Sequence, residues 1–183
     1  MFEGFVFPAP ILGNRAPTIS DGWHMRSSGK MHEGVDIMYP RNKAIESATL
    51  PNGTTNYYLP NSTPALAAGP GVVTISKDIG TGGYVRILHD NSTISQYMHL
   101  APRMVLTNQR VSAGDAVGII GYDVSPGAYR LMHLHFELLI DGSKVDPEGY
   151  VTRWRKTTGP SIDWIKVAFV VGFGVLTYLY VNA

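Results

Sequence analysis

Apolar and polar positions alternate over short stretches along most of this chain, and glycine, proline and asparagine punctuate them. ALAAGPGVVTIS (Ala65 to Ser76), YVRILHD (Tyr84 to Asp90), STISQYMHL (Ser92 to Leu100), AVGIIGY (Ala116 to Tyr122) and LHFELLIDG (Leu134 to Gly142) each read as a strand: short, rich in β-branched and aromatic residues, and bounded by turn formers. Gly80-Thr81-Gly82-Gly83 and Asp90-Asn91 supply hairpin turns between them. The polar stretch from Pro40 to Pro64 reads as a long loop. The pattern predicts a mainly β domain on an antiparallel sheet.

One segment departs from it. IDWIKVAFVVGFGVLTYLYV, Ile162 to Val181, is 20 residues long, and as a helix it would span about 30 Å, enough to cross a bilayer. Asp163 and Lys166 fall in its first turns, where they can snorkel to the headgroups. Trp154, Trp164, Tyr178 and Tyr180 suit the two interfaces, and Arg153, Arg155 and Lys156 form a basic flank. An apolar helix packed on the domain is the competing reading. The expected organisation is an N-terminal extension over 1–21, a main domain over 22–152, a basic linker over 153–161 and a transmembrane helix over 162–181.

Composition narrows the chemistry. There is no cysteine, so disulfides and thiolate metal sites are excluded and a metal would need nitrogen and oxygen donors. Through Thr152 the chain carries 11 basic and 13 acidic residues, and from Arg153 onward 4 basic and 1 acidic. A slightly acidic domain with scattered cations does not suit nucleic acid, which is therefore not an expected partner.

Histidines are the remaining signal. In His133-Leu134-His135 on a strand, both imidazoles project from one face, about 7 Å apart at the Cα atoms, so one can bind a metal while the other addresses water there. His32-Glu33-Gly34-Val35-Asp36 sets an imidazole and a carboxylate four positions apart, with a glycine to permit a bend that lets both converge. Tyr97 and His99, two apart on a probable strand, would share a face and could hold a polarised carbonyl. Each pattern alone also fits ordinary surface or core residues.

Together they resemble the lysostaphin/LytM-type zinc endopeptidases. GWHMRSSGKMHEGVDI is similar to that family's opening motif, PALAAGPGVV to the strand after it, and GGYVRILHDNSTISQYMHL to its hairpin ending in tyrosine, a variable residue and histidine. RVSAGDAVGIIG resembles its glycine-rich turn, and MHLHFELLIDGSKVDPEGYV its HLHFE motif with a closing Asp-Pro. The resemblance covers Gly22 to Val151 and implies an antiparallel LytM-like domain with one zinc ion held by His32, Asp36 and His135. It also implies His133 and His99 as catalytic groups acting on the water and the oxyanion, with Tyr97 and Arg26 in the substrate cleft. The implied substrate is the peptide cross-link of bacterial peptidoglycan. A catalytically inactive LytM-like binding or regulatory module is the alternative, and a peptidase acting on other peptides is a third. Two stretches depart from the family pattern, Tyr122 to Met132 and the Pro40 to Pro64 loop; both would border the cleft and bear on specificity. His24 and His89 match no catalytic position and read as structural or surface residues.

Glu3, Pro8 and Pro10 do not suit a secretion signal, and a basic flank on the domain side of a span favours a cytoplasmic domain. The expectation is a lipid bilayer partner through a single C-terminal anchor, in a bacteriophage virion membrane with virion membrane or capsid proteins as neighbours; a bacterial protein inserted tail-first, or one whose anchor acts as a late export signal, is the competing reading.

Overall fold

The computed structural model describes residues 2–12, 15–41, 57–59, 61–126, 131–154, 165–171 and 175–181. The chain enters with β1 (Thr18–Asp21), β2 (His24–Met25), β3 (Met31–His32) and β4 (Val35–Pro40). β5 (Tyr57–Tyr58), β6 (Pro64–Leu66), β7 (Gly71–Ile79), β8 (Gly82–His89), β9 (Ile94–Arg103), β10 (Arg110–Val111) and β11 (Ala116–Ile120) follow. β12 (Leu134–Ile140), β13 (Ser143–Val145) and the helix α1 (Glu148–Trp154) close the domain, and β14 (Ile165–Val171) and β15 (Val175–Val181) lie beyond it. Most of the Pro40 to Pro64 loop, and residues 127–130 of the Tyr122 to Met132 stretch, lie outside the described residues.

The main sheet runs β1-β4-β12-β9-β8-β7-β10, with β11 joining β6 and β9, β13 beside β12, and β5 on β4. Among the described residues its pairings are antiparallel, as the short alternating segments and tight turns lead one to expect. Along β8 the alternation is direct: Gly83, Val85, Ile87 and His89 are buried, while Tyr84 and Arg86 between them are only half-buried. Val35, Ile37, Tyr39, Tyr97, Leu134, Phe136 and Leu138 complete the inner face of the central strands.

The N-terminal residues belong to this core. Phe5, Phe7 and Ala9 are buried in it, and Val6 N donates to the Ala68 carbonyl at 2.8 Å. Phe2, Phe5, Tyr150 and Trp154 form an aromatic cluster with ring centroids 5.1–6.5 Å apart. Trp154, assigned by sequence to a membrane interface, is 4% exposed and packs on Phe136 and Phe5. Large rings at an interior gap bury more apolar area here than at the end of a linker.

The expected helix over 162–181 is corrected. Ile165–Val171 and Val175–Val181 form an antiparallel pair, with Ile165 opposite Val181 and Val171 opposite Val175. Val167, Val170, Val171, Val175, Thr177, Tyr178 and Tyr180 are residue types that lose side-chain freedom in a helix and fit a pleated strand. Among the described residues no helix is long and apolar enough to cross a membrane.

Candidate metal centre and its cleft

Strand pairing builds the centre. Asp36 on β4 stands directly opposite His135 on β12, which puts their side chains next to each other on one sheet face. His32 ends β3, Glu33 and Gly34 separate it from the start of β4, and Gly34 permits the approach. Gly34 is not among the glycines with positive φ, so the bend expected from sequence is not its reason. A Cβ there would lie 2.6 Å from the Phe136 carbonyl oxygen and 2.7 Å from His135 Nε2. The glycine makes room for β12 and its imidazole.

Three donor atoms converge. His32 Nε2 is 3.1 Å from Asp36 Oδ1 and 3.0 Å from His135 Nδ1, and His135 Nδ1 is 2.8 Å from Asp36 Oδ1. Donors about 2.0–2.1 Å from one tetrahedral ion would stand about 3.3 Å apart, so two imidazoles and a carboxylate at this spacing fit a small divalent cation. The donor atoms of Asp21, His24 and His32 also lie within 4.8 Å of one another, although His24 is exposed.

The electrostatics of the three side chains agree with their geometry. Burial alone would raise the Asp36 carboxyl, but the His135 and His32 imidazoles against its Oδ1 outweigh burial and hold the group far below the usual carboxylate range. Burial would likewise lower His135, yet hydrogen bonds to Asp36 and Glu137 raise it to about 9. The opposed shifts of Asp36 and His135 mark a place where the surrounding groups favour positive charge.

Outer hydrogen bonds aim each ring. A carbonyl oxygen can only accept, so His32 Nδ1 donates to Gly22 O at 2.6 Å and leaves the Nε2 lone pair facing the centre. His133 Nδ1 donates to Leu131 O at 2.7 Å, and His99 Nδ1 to Thr81 O at 2.8 Å. Their rings meet with centroids 4.6 Å apart, and His133 Nε2 stands 3.8 Å from Asp36 Oδ1. Burial, then repulsion from His133, lowers His99 to about 4.

His133 and His135 do face one cleft, as the two-residue spacing predicts. The cleft has a volume of about 780 Å³ and is also lined by Arg26, Lys30, Met98, His99 and Asp123. Arg26 donates to Asp21 Oδ2 at 3.4 Å and comes within 3.7 Å of Asp36 Oδ2.

Tyr97 is corrected. It is 0% exposed, and its hydroxyl accepts the Ala68 N–H at 2.7 Å and the Ser95 hydroxyl at 3.0 Å. Tyr97 and His99 part because β9 carries a bulge. Gly83 pairs with Leu100 and Val85 with Tyr97, which leaves one extra residue on β9, and His99 takes φ of 63°. The bulge puts the consecutive residues Met98 and His99 both in the cleft. His89 is structural: buried, it donates from Nδ1 to Pro70 O at 3.0 Å and meets Ser95 Oγ through Nε2 at 2.8 Å. Glu137 and Lys144 beside the centre were not singled out from sequence, although Glu137 follows His135 by the two-residue strand period.

Residues 30–147 match the family model of Peptidase family M23. The chain belongs to that family. Among similar proteins are two from Vibrio cholerae serotype O1: peptidoglycan DD-endopeptidase ShyC, 40% identical over 94 residues, and peptidoglycan DD-endopeptidase ShyA, 34% identical over 103 residues. These matches span 51% and 56% of this chain but only 21% and 23% of those proteins. The fold is similar to that of a zinc containing peptidase from Vibrio cholerae, with TM-score 0.57 and 22% identity over 79% of this chain and 39% of that one. It is also similar to the catalytic domain of lysostaphin from Staphylococcus simulans, with TM-score 0.51 and 20% identity over 76% of this chain and 93% of that one.

Proposed function

We propose that this M23 chain is a zinc-dependent endopeptidase that cuts peptide cross-links of bacterial peptidoglycan, with His32, Asp36 and His135 as metal ligands. The observation that carries the reading is the convergence of those three donors within 2.8–3.1 Å beside two further imidazoles, each held by its outer nitrogen. The substrate follows from the relatives, which are named for peptidoglycan DD-endopeptidase activity.

A bound zinc ion would supply Lewis acidity, making water acidic enough to act as a nucleophile near neutral pH and polarising the scissile carbonyl. The chain's own residues do the rest. His133 presents an Nε2 lone pair to the cleft and serves as general base, passing the proton on to the leaving amine. His99, neutral in the free protein, also presents a lone pair; it donates toward an oxyanion only after taking a proton, which burial and His133 oppose until negative charge develops on the substrate beside it. Arg26 and Lys30 line the cleft as cations that can orient a carboxylate-bearing peptide.

His133→Ala and His99→Ala test these roles. Each is expected to lower the cleavage rate of purified sacculi by about 10²–10⁴-fold while zinc content stays at one per chain; full activity in either variant contradicts its assigned role. That the apolar 162–181 segment holds the domain at a lipid bilayer, and that a bacteriophage particle carries it, are proposals resting on sequence. Liposome flotation of the full chain and immunodetection in purified virus particles test them; a chain left in the lipid-free fraction, or absent from particles, overturns the respective proposal.

A further inference from the structure

One side of the cleft carries charges that the three donors do not explain. Glu137 shares a strand face with His135, and its side chain is 5% exposed. Its Oε1 lies 3.4 Å from His135 Nε2 and accepts from Lys144 Nζ at 2.9 Å. Lys144, on β13, also donates to Glu33 Oε2 at 2.7 Å, and Glu33 directly follows His32. A continuous chain therefore runs from Glu33 through Lys144 and Glu137 to His135, joining the strands that carry His32 and Asp36 to the strand that carries His135.

Stability alone does not account for this arrangement. An ion pair as exposed as Glu33 and Lys144 contributes little, and a buried carboxylate is generally no better for stability than an apolar side chain of its size. Among the described residues the buried Glu137 Oε2 meets no hydrogen-bond partner, while the contacts to His135 and Lys144 both fall on Oε1. The requirement comes from His135. Its Nδ1 faces Asp36 and His32, so as a ligand through Nδ1 it must carry its proton on the outer Nε2, and an imidazole free to rotate or change tautomer would not hold Nδ1 ready to bind. A carboxylate behind Nε2 fixes both choices and raises the basicity of the nitrogen in front.

We propose that Glu137 is a positioning residue, held by the Glu33–Lys144 bridge, that locks His135 in the orientation and tautomer needed to bind a divalent cation through Nδ1. The inference rests on the reading of His32, Asp36 and His135 as ligands.

Zinc affinity of the full chain, by competition with a chromophoric chelator, tests it in Glu137→Gln, Lys144→Met and Lys144→Arg, with circular dichroism to confirm folding. Glu137→Gln keeps the shape and removes the charge; zinc binding is expected to weaken by about 10–100-fold. Lys144→Met weakens it less, Lys144→Arg restores it, and the visible spectrum of the cobalt-loaded protein shifts only in the first two. Wild-type affinity and spectrum in a folded Glu137→Gln overturn the proposal. If Glu137→Gln does not fold, equal affinities for Lys144→Met and Lys144→Arg overturn it. A wild-type chain that binds no zinc overturns the ligand reading itself.

Discussion

At the scale of single residues, the site depends on spaces as much as on donors. Gly34→Ala would drive a methyl group against the Phe136 carbonyl and the His135 ring, at 2.6 and 2.7 Å. The strand must shift, so a loss of about 1–3 kcal/mol in urea unfolding is expected, together with weaker zinc binding in the same chelator competition. Tyr97 provides the opposite case. Tyr97→Phe leaves the buried Ala68 N–H without its 2.7 Å partner and should cost about 1–3 kcal/mol while turnover of a soluble peptide stays at the wild-type rate. A large fall in turnover with unchanged stability would return Tyr97 to the cleft. These two residues also mark what the sequence made legible. The pairing of His133 with His135 follows from the period of a strand and was readable. The separation of Tyr97 from His99 depends on one extra residue in β9, and a bulge leaves no mark on a two-residue pattern. The reason for Gly34 was equally hidden, because it lies in the path of a strand about 100 positions away in sequence.

At the scale of elements, the hairpin of β8 and β9 carries a buried titratable group at each end. Burial holds His89 below its ordinary value of 6.5. The unfolded chain therefore binds a proton there before the folded one does. Stability from this group is fully present above pH 6.5 and is lost as pH falls below that value toward the folded one. Chemical denaturation between pH 7 and about 5 should show the midpoint falling with acid, with His99, which burial also lowers, acting in the same direction; His89→Gln should make that slope shallower, and an equal slope in both proteins would remove His89 as a contributor. The strands and hairpins around it were readable from β-branched runs between glycine-rich turns. The C-terminal pair was not, since a largely apolar stretch of 20 residues satisfies a length rule for helices, whereas the valines and tyrosines in it favour strands.

At the scale of the whole molecule, the two ends of the domain lock each other. Phe2 and Phe5 pack on Tyr150 and Trp154, and Phe5 also meets the His89 ring at 4.8 Å. Phe5→Ala is expected to cost about 3–5 kcal/mol and to lower the thermal midpoint without changing zinc stoichiometry; an unchanged midpoint would show that the N-terminal segment is not part of the cooperative unit. This closure was not readable, because an apolar segment broken by prolines looks alike whether it precedes a domain or completes its core. The central claim concerns the centre that this scaffold holds in place, and reconstitution tests it most directly. The chain is stripped with chelator, then titrated with zinc against purified sacculi, with mass analysis of the released fragments. Peptide-cut fragments that appear in proportion to zinc, saturate at one ion per chain and are absent in Asp36→Asn are the predicted result. A folded chain that binds one zinc and releases no cut peptide from any wall would contradict it.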